Sequence, residues 1–138
     1  MNQRGFATLE VILMVMVIGI LASIAVPRFT SVTTAANTAK IQADLSTIDT
    51  AIAIYVMEKG TTTAPTLGAE GTLKDYIQDI GNVKPPTGQA YVNGTAENIS
   101  ATTYEITTTT TDGKTEYRAA LTVGTKKCTA GDFTNKKP

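Results

Sequence analysis

The chain has 138 residues and a formal net charge of zero, from 12 basic and 12 acidic side chains. This balance provides no basic surface for nucleic acid, so no specific nucleic-acid partner is expected. Histidine is absent and Cys128 is the sole cysteine, which removes the commonest general base and metal ligand and excludes an intramolecular disulfide. No phosphate loop, zinc spacing or nucleophile elbow is present. We therefore expect no enzyme, no metal and no cofactor, with Cys128 a partly buried thiol or, alternatively, a link between chains.

The first predicted element is an apolar segment that contains one carboxylate. No charged residue lies between Glu10 and Arg28. As a helix, residues 6–26 would be about 31 Å long, close to the roughly 30 Å of a bilayer core. A carboxylate in mid-bilayer costs about 2.5–3.5 kcal/mol. The segment can span a membrane, but Glu10 then requires a partner.

Two readings of this segment follow from the residues alone. In one it is a cleavable signal peptide, with Arg4 as a weak basic region, an apolar stretch over 11–21 and a small-residue site at Ser23-Ile24-Ala25. An acidic residue at the start of the apolar stretch speaks against this. In the other it is a permanent single-span anchor, which explains the length but gives Glu10 no partner.

A third reading comes from the order of residues 5–10. Gly5 precedes Phe6, Glu10 stands four residues after Phe6, and an apolar run follows. This resembles the prepilin cleavage motif of type IV pilins and type II secretion pseudopilins, although the residues between Phe6 and Glu10 differ from the usual ones. Gly19 and Pro27 also stand where that family has Gly and Pro. The resemblance covers about residues 1–60.

The resemblance implies that a prepilin peptidase cleaves between Gly5 and Phe6 and that the new Phe6 amine is N-methylated. Cleavage creates a cationic terminus, since an α-amine has a pKa of about 7.7–8.0. In the family's assembly this ammonium meets Glu10 of an adjacent subunit. Gly19 and Pro27 are implied positions of helix packing or bending. For Gly19, a glycine merely tolerated in a membrane helix is the alternative.

After Pro27 the pattern indicates an amphipathic continuation of the helix. Apolar residues recur in steps of three and four, which is typical of one helical face: Ile41, Leu45, Ile48, Ile52 and Tyr55. Gly60 is placed as a stop signal, after Lys59 in the last turn. We predict one helix from Phe6 to Lys59, about 80 Å long, with a bend near Gly19 or Pro27.

The remainder is predicted to form a small antiparallel sheet. Residues 61–101 are mainly a loop-rich connection, with a short helix over 72–80 and a strand over 89–93 before an Asn93-Gly94 turn. Asp112-Gly113 joins two arms, 102–111 and 114–123, as a two-residue hairpin. On the second arm Tyr117, Ala119, Leu121 and Val123 share one face. We expect that face to pack on the helical stripe while the Thr-rich face is exposed to solvent. The run Thr107–Thr111 is expected to be a plain exposed strand, with O-glycosylation of its threonines as the alternative. The lysines at 126–127 and 136–137 are expected to be solvated tail charges.

The expected fold is α+β and pilin-like: a long N-terminal helix with an apolar, protruding first half, and a second half packed on the sheet. The expected segments are a leader at 1–5, a transmembrane or filament-core helix at 6–27, the amphipathic helix at 28–60 and the head at 61–138.

The segment after Val123 is a poor candidate for a calcium site. Asp132 is its one acidic residue, which is too few for the 6–8 oxygen ligands that calcium takes. That departs from the calcium site of major secretion pseudopilins.

The function expected from the resemblance is a subunit of a type IV pilus-like filament, with copies of itself as its partners. The chain is expected to be a single-span precursor in the inner membrane first, and then part of an extracellular or envelope-spanning filament. A prepilin peptidase, an assembly ATPase and a platform protein are implied. The alternatives are a pseudopilin of a type II secretion or DNA-uptake system and a membrane-anchored binding module.

Overall fold

A computed structural model describes residues 3–135 of the chain. Met1 and Asn2 of the expected leader, and the lysines at 136–137, lie outside the described residues. The chain divides into two compact units, Met1–Thr33 and Thr34–Pro138. The elements are a helix and five strands within residues 3–135: α1 Gln3–Lys59, β1 Gly88–Val92, β2 Thr95–Ile99, β3 Glu105–Thr111, β4 Lys114–Val123 and β5 Lys126–Cys128.

Helix α1 confirms the predicted long N-terminal helix, and Pro27 lies inside it. A long apolar run followed by an amphipathic stripe favours this element, although Pro27 inside it removes one backbone donor. The helix ends after Lys59, where Gly60 adopts a left-handed φ of 78°. The Gly60 N–H donates to the Val56 carbonyl at 2.8 Å. Gly60 is therefore the C-terminal cap that the sequence predicts.

In the second unit, the helical stripe is buried as the three-and-four spacing predicts. The buried helix residues there are Thr34, Thr38, Ile41, Leu45, Ile48, Ala51, Ile52 and Tyr55. The apolar members of this set form one hydrophobic core with the buried face of β4. The α+β, pilin-like arrangement of a long helix and a small antiparallel sheet is confirmed.

The strands form an antiparallel β1–β2 pair and an antiparallel sheet of order β3-β4-β5 among the described residues. Both predicted turns are present: Asn93-Gly94 and Asp112-Gly113 have positive φ at both positions, 49° and 79°, and 51° and 76°. This is the backbone that a two-residue hairpin turn requires. Strand β3 begins at Glu105 rather than at residue 102, and β2 and β5 were not predicted.

The helix predicted over 72–80 is wrong. Short 3₁₀ turns occupy Thr72–Asp75 and Ile80–Asn82 instead. Asp79, between them, has a left-handed φ of 55°, which no α-helix accommodates. The apolar spacing is nevertheless used, since Leu73, Ile77 and Ile80 are all buried in the core.

The lysines at 126–127 are exposed, as expected, but they belong to strand β5 rather than to a tail. Lys127 of β5 is opposite Thr122 of β4 in the ladder. Its ammonium lies 3.0 Å from the Glu105 carboxylate of β3. Hydrogen bonds from Lys127 and then Thr122 lower the pKa of the Glu105 carboxyl. The strand therefore adds an ion pair across β3, β4 and β5.

Candidate assembly surface

The first unit consists of a helix whose apolar side chains are uncovered. Every large apolar side chain from Phe6 to Val32 exposes at least half of its surface, from 52% for Val17 to 78% for Phe6. The most apolar 18-residue window has a mean hydropathy of 2.7, and by length and composition the helix could cross a membrane. Exposed apolar area of this extent marks a membrane or protein interaction surface. We call residues 6–32 the assembly surface.

Polar side chains on the assembly surface bond to the helix's own backbone. The Thr8 hydroxyl donates to the Arg4 carbonyl at 3.0 Å, and the Ser23 hydroxyl donates to the Ile20 carbonyl at 2.6 Å. The Ser31 hydroxyl likewise donates to the Arg28 carbonyl at 2.9 Å. Because these hydroxyls are satisfied within the helix, burying them in lipid or against another helix leaves no donor unpaired.

Glu10 is the one carboxylate on this surface. It is exposed and borders a shallow open groove of about 370 Å³ whose other lining residues are Leu13, Met14, Val17 and Ile18. Phe6 lies four residues earlier, so both side chains lie on the same helix face. Phe6 is internal in the unprocessed chain, so its nitrogen carries a positive charge only once the Gly5–Phe6 bond is cut.

The predicted glycine and proline positions all lie within α1. A Cβ added at Gly5 or Gly19 would meet nothing within 4 Å. Packing within this chain therefore does not require glycine at either position, and close approach to another molecule remains a prediction for Gly19. Pro27 is inside the helix, and the bend expected near it also stays a prediction.

The sheet of the second unit is fixed to the helix by a carboxylate that sequence reasoning missed. One oxygen of Asp49 accepts a hydrogen bond of 2.6 Å from the Ala119 backbone N–H. The other lies 3.2 Å from the Arg118 guanidinium. Asp49 is on the polar side of the predicted stripe, where a solvated carboxylate is the default expectation, so the sequence held no signal for this contact.

A second set of polar contacts lies nearer the start of this unit. The Tyr104 hydroxyl donates to Asp44 at 2.6 Å, and Lys40 pairs with the same carboxylate at 2.5 Å. Burial, followed by the hydrogen bond to Asp44, raises the pKa of the Tyr104 phenol well above its ordinary value. Asn37 donates to the carbonyls of Thr87 and Gln89 at 3.1 and 2.9 Å.

The chain after β5 is also held in place, by an aromatic residue and by backbone bonds. The Phe133 side chain is fully buried in the core. Backbone N–H groups of Asn93 and Gly94 donate to the carbonyls of Asp132 and Thr134 at 2.8 and 3.1 Å. The Asp132 carboxylate accepts from the Thr129 N–H at 2.8 Å. These contacts tie residues 129–134 to the β1–β2 turn.

Within residues 3–135 no group of three or more His, Cys, Asp or Glu side chains is placed to hold a metal. Cys128 is a buried free cysteine, as the sequence predicts. Burial is the main cause of the raised pKa of its thiol, so the reactive thiolate is disfavoured.

Comparison with known proteins gives a match over part of the chain. Over 58 residues the chain is 38% identical to the major component PilA5 of the type IV narrow pilus of Thermus thermophilus, covering 42% of this chain and 50% of that protein. The chain thus spans about half the length of this curated relative. No family model matches the chain, and no solved structure gives a significant match. Part of the chain is therefore similar to a type IV pilin, a structural protein of a pilus.

Proposed function

We propose that this chain is a structural subunit that polymerises through its assembly surface into a type IV pilus-like filament. The observation that carries the proposal is the uncovered apolar surface of residues 6–32, in which Glu10 is the one carboxylate. Such a helix needs lipid or other apolar helices around it. In a filament, copies of the same helix provide that cover, and a repeated head-to-tail contact that does not close generates an open helical polymer.

Glu10 sets the register of this polymer in the proposal. Cleavage between Gly5 and Phe6 creates an ammonium four residues from Glu10 in sequence. Within an apolar bundle, a Glu10 carboxylate without a partner is strongly disfavoured. Pairing it with the Phe6 ammonium of an adjacent subunit neutralises both charges. That pairing favours one axial offset between neighbouring helices over the others.

Before assembly, the proposal places the chain in the inner membrane as a single-span precursor. A prepilin peptidase removes residues 1–5, and N-methylation modifies Phe6. An assembly ATPase and a platform protein then drive the mature chain into a surface filament. The partial similarity to a narrow-pilus major component supports the pilus over a secretion or DNA-uptake pseudopilus. A calcium site like that of major secretion pseudopilins would need the Asp132 carboxylate as a ligand. That carboxylate instead accepts hydrogen bonds from the Thr129 N–H and hydroxyl, which supports the same choice.

The processing step is tested by the intact mass of the protein isolated from its native host. The proposal expects a mature chain that begins at Phe6 and is heavier by one methyl group. A mature chain beginning elsewhere would overturn the proposed processing. A Gly5→Leu variant should accumulate as the unprocessed precursor, because a bulky side chain then occupies the position before the scissile bond.

The assembly step is tested by replacing Glu10. Glu10→Ala and the neutral, similarly shaped Glu10→Gln should both be processed and inserted, yet filaments sheared from cells should fall at least about tenfold, as expected for about 1.4 kcal/mol or more lost per subunit contact. Glu70→Ala is the matched control, since that carboxylate is 96% exposed in the other unit. Normal filament yield from Glu10→Gln would overturn the charge pairing.

A further inference from the structure

A second exposed feature lies in the other unit, on strand β3. In the sheet order β3-β4-β5, β3 is an edge strand, and within residues 3–135 it pairs only with β4. Its last five residues, Thr107–Thr111, are all threonine. Thr108 to Thr111 are exposed, and Thr107 is half-buried. The proposed filament contact through residues 6–32 makes no use of this strand.

The hydrogen-bonding direction of each β3 residue follows from one contact on β4. The Ala119 N–H donates to Asp49, so it points away from β3. Ala119 is opposite Ile106 in the ladder, and this is therefore a pair without mutual hydrogen bonds. Directions alternate along an antiparallel strand. The backbone N–H and C=O groups of Thr108 and Thr110 consequently point outward, at the open edge.

This edge lacks the features that normally prevent edge-to-edge pairing. Natural edge strands are protected by charged residues, proline, bulges or cover. Thr107–Thr111 contains no charge and no proline, and its pairing with β4 runs without interruption from Glu105 to Thr111. Threonine also favours extended backbone, and threonine pairs across strands are stabilising. An exposed, regular, uncharged edge of this kind is a template for another strand.

We propose that β3 pairs with β3 of a second copy of this chain, antiparallel and centred on Thr109. In this register Thr107 faces Thr111, Thr108 faces Thr110, and Thr109 faces itself, so the threonine run is its own complement. Each Thr108–Thr110 pair exchanges two backbone hydrogen bonds, about four per contact. No like charges are brought opposite each other. A second copy fits this edge in this register because the neighbouring registers that keep the outward-pointing groups opposite each other place a threonine opposite Glu105 or the 112–113 turn.

The symmetry of this contact determines which copies it joins. The pairing is two-fold symmetric, whereas the contacts along a polar filament run head to tail. The β3 contact therefore joins subunits of different filaments, and the consequence for filaments rests on the proposed function. A five-residue edge is a small interface, so one contact is weak. Many contacts repeated along two filaments act together and give side-by-side association.

The test is disulfide trapping in the full-length chain. Thr109 of the two copies would form a pair without mutual hydrogen bonds, with Cα atoms about 4.5 Å apart, within the 4.4–6.8 Å range of disulfides. Thr109→Cys should form a covalent dimer under copper-phenanthroline oxidation. Glu116→Cys is the matched control: it is opposite Thr109 on β4, and the two copies would be about 14 Å apart, three strand spacings. We expect at least a tenfold faster dimerisation of Thr109→Cys.

A second variant separates edge pairing from chance collision. Thr108→Pro removes an outward N–H without removing a bond to β4, and proline is tolerated on an edge strand with its N–H side facing solvent. Added to Thr109→Cys, it should abolish dimer trapping while the thermal midpoint of the head remains near that of the parent. Equal trapping of Thr109→Cys and Glu116→Cys, or trapping unaffected by Thr108→Pro, would overturn the proposal. Trapping in detergent micelles needs no filament, so it distinguishes this contact from the polymerisation through residues 6–32.

Discussion

The Asp49 carboxylate accepts a 2.6 Å hydrogen bond from the backbone N–H of Ala119. This links helix α1 to strand β4 at a point where β5 does not pair with β4, because β5 covers only Leu121–Val123. Ala119 itself is fully buried. A side chain on the helix thus takes the place of a missing neighbouring strand.

Removing this acceptor should destabilise the second unit. Asp49→Ala leaves a buried N–H without a partner, at a cost of about 1–3 kcal/mol. Asp49→Asn keeps an oxygen acceptor and loses only the charge opposite Arg118, so it should cost about 1 kcal/mol or less. Urea unfolding of the full chain in detergent, followed by tyrosine fluorescence, measures both. Equal losses in the two variants would show that charge, and not the backbone hydrogen bond, carries the effect.

Burial of the Tyr104 phenol, together with its hydrogen bond to Asp44, should make stability decline at alkaline pH. The pKa of Tyr104 is raised in the folded state from an ordinary value of 10. Its contribution is therefore complete below about pH 10 and is lost as the pH rises towards the folded value, at about 1.4 kcal/mol per pH unit. Tyr104→Phe should be less stable at about pH 8, by roughly 1.5 kcal/mol, and should lack this slope above about pH 10.

Tyr76 provides the matched control for that pH profile. Its hydroxyl donates to Glu58 at 2.6 Å, which is the main cause that raises the pKa of Tyr76 to about 12. The sign is the same as for Tyr104, but this contact lies in solvent and is screened. Tyr76→Phe should therefore change the alkaline slope less than Tyr104→Phe. The reverse order would contradict burial as the main cause of the raised pKa of Tyr104.

Phe133 should be a principal contributor to the stability of the second unit. Truncation of a fully buried phenylalanine to alanine costs about 3–5 kcal/mol, and Phe133 is 0% exposed. Phe133→Ala should therefore lower the urea midpoint strongly and release residues 129–134 to faster hydrogen exchange. Phe29→Ala is the control, because Phe29 is 72% exposed and should leave the midpoint of the monomer unchanged. A loss below about 1 kcal/mol for Phe133→Ala would contradict its place in the core.

The parts of the fold that the sequence predicts are those with a local, repeated signal. The stripe from Ile41 to Tyr55 repeats the helical period over several turns, and Asp112-Gly113 is a strong turn signal between two β-rich arms. Both were located correctly. The helix termination at Gly60 belongs with them, because a glycine in the left-handed region is a local requirement.

The parts that were missed depend on contacts between distant residues. Strand β5 is short and starts with two lysines, so neither its length nor its polarity indicates a strand, and it exists because β4 extends past β3. Phe133 is a single aromatic residue in a polar segment, and the residues on either side of it are hydrogen-bonded to the β1–β2 turn, which is distant in sequence. The left-handed backbone of Asp79 broke the predicted 72–80 helix although the apolar spacing was correct. For the assembly surface, sequence supplied Phe6 and Glu10, and the structure added that their helix is uncovered.

The most direct measurement is a cryo-EM reconstruction of the filament at a resolution that shows side chains. The account predicts that the chain begins at Phe6 and that its terminal nitrogen lies within about 4 Å of the Glu10 carboxylate of an adjacent subunit, inside a core built from residues 6–32. A filament whose core is formed by the sheet-containing unit would contradict it. So would a Glu10 carboxylate that faces solvent, away from every Phe6 nitrogen.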